Sequence, residues 1–226
     1  MREYTKKEKF LNWLHYNKIW VAAVALIIWV AGSMLWNVLG IGNVKPDYRV
    51  AYVGSVRLPD STVEAVENAL AAFGQDVNGD GKVAVELTQH ISGSESNTEN
   101  MMYGYASEVT VLADITEGES TFFLLENPVD FQLTFQILAH LDGSMPAEDD
   151  FGALDKVYLW DNCPALASLD LGNYEDSYLD LTETGENQEL LSGLYLGRRY
   201  FYDPGQQKNP EADNAFWLAI TEGATP

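Results

Sequence analysis

The sequence predicts an α/β domain carried behind a single membrane-spanning helix. Three observations predict it. Residues 19–36 (IWVAAVALIIWVAGSMLW) hold no charged side chain and only Ser33 as a polar one. From residue 48 onward, short Val-, Tyr- and Phe-rich runs alternate with segments whose apolar residues recur every three or four positions, the two periods of strand and helix. Charge is also sorted along the chain. Of 13 basic and 34 acidic residues, five and two precede the apolar run, which leaves the remainder at a formal −24.

As a helix, residues 19–36 span about 27 Å, and about 33 Å if continued to Gly40, against about 30 Å of bilayer hydrocarbon. Trp20 and Trp36 fall near the two ends, where indole rings favour the interface. Arg2, Lys6, Lys7, Lys9 and Lys18 precede the run against Glu3 and Glu8, while just beyond it only Lys45 and Arg49 compete. Basic flanks stay inside. The expected address is the cell membrane, single-pass, with a cytoplasmic N-terminus and an extracytoplasmic C-terminal domain. A cleaved signal has a shorter apolar core of about 7–15 residues and a small-residue cleavage site; residues 37–43 (NVLGIGN) offer none, and the sole cysteine, Cys163, lies far downstream of a lipoprotein position. The run therefore reads as an uncleaved anchor. The expected organisation is a basic flank over 1–18, a transmembrane helix over 19–40, a tether over 41–47 and a domain over 48–226, with a subdivision near 143–153. Within the flank, Phe10, Trp13 and Leu14 are spaced as an interfacial lead-in helix; a plain basic flank is the alternative.

Residues 48–55 (YRVAYVGS) read as a buried strand closed by Gly54. Ser61 and Glu64 make an S-x-x-E capping box ahead of VEAVENALAAF (63–73), whose Val63, Val66, Leu70 and Phe73 share one helical face, and Gly74 ends that helix. Over 82–89, Val83, Val85 and Leu87 alternate with Ala84, Glu86 and Thr88 as in a strand. Residues 90–100 form a polar loop, and 101–117 favour a helix interrupted by Gly104 over a helix followed by a strand. A central strand is expected over 120–125 (STFFLL). Pro128 opens a helix over 128–141, with His140 near its C-terminal end as a structural histidine. Alternation of this kind predicts a mostly parallel sheet with covering helices, joined by right-handed crossovers. Residues 143–153 form an acidic loop; Glu148, Asp149 and Asp150 read there as solvated carboxylates rather than a metal cluster. Strands follow over 157–160 and 194–201, an exposed polar insertion over 177–188, and a closing helix over 213–221 docked through Phe216, Trp217 and Ile220.

The sharpest chemical signal is residues 76–81 (DVNGDG). Asp76, Asn78 and Asp80 place side-chain oxygens on alternate residues, followed by Gly81 and the backbone carbonyl of Lys82, like the front half of an EF-hand calcium loop. The twelfth position is Leu87, with Glu86 one residue early, so a structural calcium here needs a carboxylate from elsewhere. A tight turn uses the same residues. Arg198-Arg199, the only basic pair outside the flank, is a candidate contact for an anionic ligand or an acidic partner; pairing with nearby acids is the commoner use. Cys163 has no neighbouring His or Lys and reads as packed and inert. The acidity excludes nucleic acid as a partner. No G-x-S-x-G, Walker A, G-x-G-x-x-G, H-E-x-x-H or C-x-x-C pattern occurs, and His15, His90 and His140 are scattered. Carboxylate-only chemistry stays open, without a pair that stands out.

Residues 48–141 resemble the first lobe of type 2 periplasmic-binding-protein-like folds, the extracellular solute-binding proteins of importers. The likeness rests on YRVAYVGS, VEAVENALAAF, NGDGKVAVEL and STFFLL followed by a helix. The chain is also similar to a group of uncharacterised, membrane-anchored proteins of Gram-positive bacteria with a short basic N-terminus, one span, a K-P-D-Y junction (Lys45 to Tyr48) and a D-x-N-G-D-G loop. The resemblance implies a lobe-like α/β domain, and about 180 exported residues hardly hold two lobes. The expected function is a non-enzymatic, membrane-tethered extracytoplasmic accessory or interaction component of a transporter or cell-envelope complex, with other membrane or envelope proteins as partners. The alternatives are a small-ligand receptor with a reduced second lobe and an envelope hydrolase with an unlocated carboxylate site.

Overall fold

The computed structural model describes residues 5–38, 45–91, 98–178 and 181–226. Residues 39–40 of the expected span, 41–44 of the tether and 92–97 of the polar loop lie outside the described residues. The chain forms two compact units, Met1–Val44 and Lys45–Pro226.

The first unit is helix α1 (Lys6–Val38). Its stretch Phe10–Met34, 25 residues, is long and apolar enough to cross a membrane, and none of its most apolar window is buried. The helix starts well before residue 19 and kinks at Asn17 (φ −107°, ψ 15°). There the Asn17 amide donates to the Trp13 carbonyl at 2.9 Å, the local competition by which Asn disturbs a helix. The amphipathic lead-in and the apolar run thus form one kinked helix.

The second unit has seven strands among the described residues: β1 (Tyr48–Gly54), β2 (Val85–Ile91), β3 (Phe122–Leu125), β4 (Val157–Leu159), β5 (Asn173–Tyr178), β6 (Leu181–Glu186) and β7 (Tyr195–Arg198). Five make a central sheet in the order β2-β1-β3-β7-β4. β1 pairs in parallel with β2 and β3, whereas β7 is antiparallel to both β3 and β4. Four strands therefore run one way and β7 runs against them, a mixed, mostly parallel sheet. β3 is buried along its whole length, as the apolar run FFLL requires in a central strand.

Period-two alternation divides the core in two. Tyr48, Val50, Tyr52, Phe122, Leu124 and Leu196 face one side, against Val66 and Leu70 of α2 (Asp60–Ala71) and Phe216, Trp217 and Ile220 of α7 (Pro210–Ile220). Ala51, Phe123 and Leu125 face the other, against Val111 of α3 (Thr98–Glu117) and Phe131 of α4 (Pro128–Phe135). On the first side the Tyr48 and Phe216 rings stack at 4.3 Å. The closing helix docks through the three residues expected of it.

Three local expectations need correction. The Ser61 capping box does not form, because α2 begins at Asp60 with Pro59 as its N-cap and no side-chain cap. Thr62 sets that turn: it is fully buried, and its hydroxyl donates to Asn187 Oδ1 at 2.6 Å. The 128–141 helix stops at Phe135, since Gln136 turns left-handed (φ 52°). Gln132 Oε1 accepts the Leu138 amide at 3.0 Å, and Leu138 bridges to Arg199 alongside β7, so His140 lies in a turn rather than at a helix end. Within the polar insertion expected over 177–188, residues 177–178 and 181–186 instead belong to the antiparallel pair β5–β6 and 187–188 open α6 (Asn187–Leu191), while 179–180 lie outside the described residues.

Candidate functional site

Strand geometry separates the Arg198-Arg199 pair. The Arg198 guanidinium lies on the α7 side, 5.1 Å over the Trp217 ring, with Nη1 donating to Asn214 Oδ1 (3.1 Å) and Nη2 to the Leu141 carbonyl (3.0 Å). The Arg199 guanidinium lies on the α3 side, 4.5 Å over Phe201, with its two Nη atoms donating to the Ser120 and Ile115 carbonyls. Each residue is 8 % exposed, and each keeps a buried Nε without a hydrogen-bond partner. Among the described residues no carboxylate comes within 4.0 Å of either guanidinium. Carbonyls and aromatic faces replace the acidic partners expected of them. Burial lowers both pKa values, opposed by Asp142 at Arg198 and by Asp114 at Arg199.

Two clefts open beside this region, of about 280 and 350 Å³, and both are lined by Thr121, Phe201 and Asp213. Arg198, Asp142, Gly143 and Asn214 line the smaller; Tyr48, Arg49 and Glu119 line the larger. Both sit at the amino end of β3, and the larger also reaches the amino end of β1. Ligands of open parallel sheets bind beyond the carboxyl ends; here Glu126 closes that end between β1 and β3 by accepting hydrogen bonds from the Ser55 amide and hydroxyl. Burial raises the Asp213 carboxyl above the ordinary carboxylate range, partly offset by a 2.9 Å hydrogen bond from Gln207.

The 76–82 loop is a chain of Asx turns. Asp76 Oδ1 accepts the Gly79 amide (2.7 Å) and its Oδ2 the Gly81 amide (2.9 Å). Asn78 Oδ1 accepts the Asp80 amide, and Asp80 Oδ1 the Lys82 amide, each at 2.9 Å. Gly79 and Gly81 have φ of 75° and 87°, where glycine is the unstrained residue. Asp47, of the K-P-D-Y junction, clasps this loop. It accepts the Val77 and Asn78 amides at 2.8 and 3.0 Å on Oδ1 and the Ala84 amide at 2.9 Å on Oδ2. Leu87 points into the core and Glu86 pairs with Arg49 at 2.9 Å, so neither turns toward the loop.

Two further polar clusters lie elsewhere. His90 Nδ1 is 3.2 Å from Thr110 Oγ1 and Nε2 is 3.7 Å from Asp114 Oδ2, while the Ser120 hydroxyl donates to Asp114 at 2.7 Å. His90 is 5 % exposed, so this is a packed polar chain beneath α3. His140, Asp150 and Asp155 place ligand atoms within 4.8 Å of one another, and the Lys156 ammonium pairs with two of them, Asp150 at 2.8 Å and Asp155 at 3.6 Å. Cys163 is fully buried, and burial pushes its thiol up to about 11, as expected of an inert cysteine. Nothing in the residue pattern announced Lys156 or Asp213.

Comparison with protein-family models, curated proteins and solved structures finds no match.

Proposed function

We propose that this chain is a membrane-tethered extracytoplasmic domain with a non-enzymatic role, an accessory or interaction component of a transporter or cell-envelope complex. The observation that carries the reading is α1, an apolar helix with no buried residue in its most apolar window, joined to a polypeptide of formal charge −24 from residue 37 onward. Such a helix is stable only with its side chains in lipid or against other apolar helices. The folded unit adds a reason to expect a protein partner. Val109 and Leu112 on α3, and Val129 and Leu133 on α4, are exposed apolar residues on the two helices that cover one face of the sheet; apolar surface of this kind favours association. The single-lobe likeness to solute-binding folds is part of the same proposal.

The test is topological. Full-length protein with a C-terminal tag is expected to resist alkaline extraction from membranes and to lose the tag to protease added outside intact cells. A tag protected until lysis, or a product soluble without detergent, would refute the tether.

We also propose a structural calcium ion in the 76–82 loop, held by Asp76, Asn78, Asp80 and the Lys82 carbonyl and completed by a carboxylate from outside the loop. The support is the alternate placement of side-chain oxygens about two left-handed glycines, the arrangement hard cations use.

A further inference from the structure

We propose that residues 6–16 form a face that binds anionic phospholipid, with Lys6 and Lys7 on headgroup phosphates and Phe10, Trp13 and Leu14 in the interface beneath them. The inference rests on the membrane reading of α1 and adds the lipid that its N-terminal end selects. The first ground is length. α1 runs for 33 residues, about 50 Å of helix, against about 30 Å of bilayer hydrocarbon. A straight continuation ahead of Ile19 would hold Phe10, Leu11 and Trp13, each more than half exposed, in water. Lys18 opposes sliding the span toward the N-terminus, because a charge inside the hydrocarbon is costly. The second ground is the bend. α1 kinks at Asn17, one residue ahead of Lys18, where the Asn17 amide turns to the Trp13 carbonyl. The kink divides the surplus turns from the span where the apolar run begins, so the lead-in leaves the line of the span and lays its apolar face on the interface.

The third ground is the chemistry of that face. Phe10, Trp13 and Leu14 follow one another at the spacing of neighbours on a helix surface, and the Phe10 and Trp13 rings stack at 6.1 Å. Asn12 and His15 stand on the opposite side of the helix. Lys6 and Lys7, both exposed, are four and three residues ahead of Phe10, hence on its side and one turn nearer the N-terminus. Helical side chains lean that way. An interfacial helix uses this order, with aromatic and aliphatic groups at the acyl boundary and lysines reaching out to the headgroups. Charge decides the headgroup. Five basic residues stand against two acidic ones before the apolar run, whereas the remainder carries a formal −24. Anionic headgroups attract the first and repel the second, so the flank is the part of the chain that they hold.

Hydrogen exchange of the full-length protein in nanodiscs tests it, with phosphatidylcholine alone and with phosphatidylglycerol added as the two surfaces. The amides of residues 10–16 are expected to exchange about tenfold more slowly on the phosphatidylglycerol surface. That difference is expected to fade at about 1 M salt, where the Debye length is about 3 Å. Lys6→Gln together with Lys7→Gln is expected to lose most of the difference, while residues 20–34 keep their protection and so show the span intact. Failure to incorporate into either disc would overturn the tether and this proposal together. Incorporation with equal exchange of residues 10–16 on both surfaces, or a difference that survives the lysine variant, would overturn this proposal alone.

Discussion

The ammonium of Lys156, fully buried, donates to Asp150 Oδ1 at 2.8 Å, while the other Asp150 oxygen lies 3.5 Å from His140 Nε2. It also donates to the Gly152 carbonyl, and Asp155 lies 3.6 Å away. The lysine thus gathers Asp150, Gly152 and Asp155 and pins the 150–156 loop to β4. Removing either partner has unequal consequences, because a stranded buried ammonium is worse than a carboxylate returned to water. Asp150→Ala is therefore expected to lower the urea midpoint more than Lys156→Met. Equal losses, or the reverse order, would show that the lysine is not held by its charge.

Two buried carboxyls titrate in opposite senses. Burial alone would raise the Asp114 pKa, but the His90 ring 3.7 Å away and hydrogen bonds from the Ser120 hydroxyl and amide hold it below the ordinary value. A depressed carboxyl contributes stability above its unfolded pKa, about 3.9, which is lost as pH falls through the folded value. Asp213, raised by burial, does the opposite: its contribution is present at low pH and lost as pH rises through its folded pKa. Asp114→Asn is expected to flatten the acid limb of a melting-temperature profile. Asp213→Asn is expected to stabilise at pH 7 and to match the parent below about pH 3.9. An Asp213→Asn protein less stable than the parent at neutral pH would contradict the raised carboxyl.

Gln188 ties together Trp160, Leu166 and Leu169 with one side chain. Its Oε1 accepts the Trp160 indole N–H at 2.8 Å, and its Nε2 donates to the Leu166 and Leu169 carbonyls at 2.8 and 2.9 Å. Trp160 is fully buried, so truncation leaves its indole donor unsatisfied. Gln188→Ala is expected to cost about 1–3 kcal/mol by chemical denaturation. Gln188→Glu is expected to cost more at neutral pH, since a carboxylate faces those carbonyls, and to recover as pH is lowered. An alanine variant as stable as the parent would mean that water replaces the amide.

The elements legible in the sequence are those whose burial follows one period. β1, β3 and α7 place Val50, Phe123 and Trp217 where alternation or helical spacing puts them. The misread elements are decided by partners distant in the chain. Gln136 adopts a left-handed conformation that no glycine announces, because Gln132 ties Leu138 back beside β7. β5 and β6 are polar (NYEDSY, LTETGE), so their pairing supplies the pattern that composition lacks. Arg198 and Arg199 look like one basic site, yet adjacent strand residues face opposite ways, and the sheet sends one to Trp217 and the other to Phe201. Lys156 is buried because the acidic loop closes over it, which local sequence does not encode.

The 76–82 loop gives the last prediction. Its amides already bond Asp76, Asn78 and Asp80, and Asp47 clasps the loop at Val77, Asn78 and Ala84. Each carboxylate oxygen retains a further lone pair, so an ion can be added without undoing the turn. An ion bound only by the folded state stabilises it by about 2.7 kcal/mol at a hundredfold excess over its dissociation constant. Melts of the full-length protein in detergent are therefore expected to run several degrees higher in calcium than in chelator. Asp80→Ala, which leaves both Asp76 hydrogen bonds and the Asp47 clasp in place, is expected to remove that difference while melting close to the chelated parent. Identical melts of the parent in calcium and chelator would reduce the loop to a glycine-assisted turn whose carboxylates serve the backbone alone.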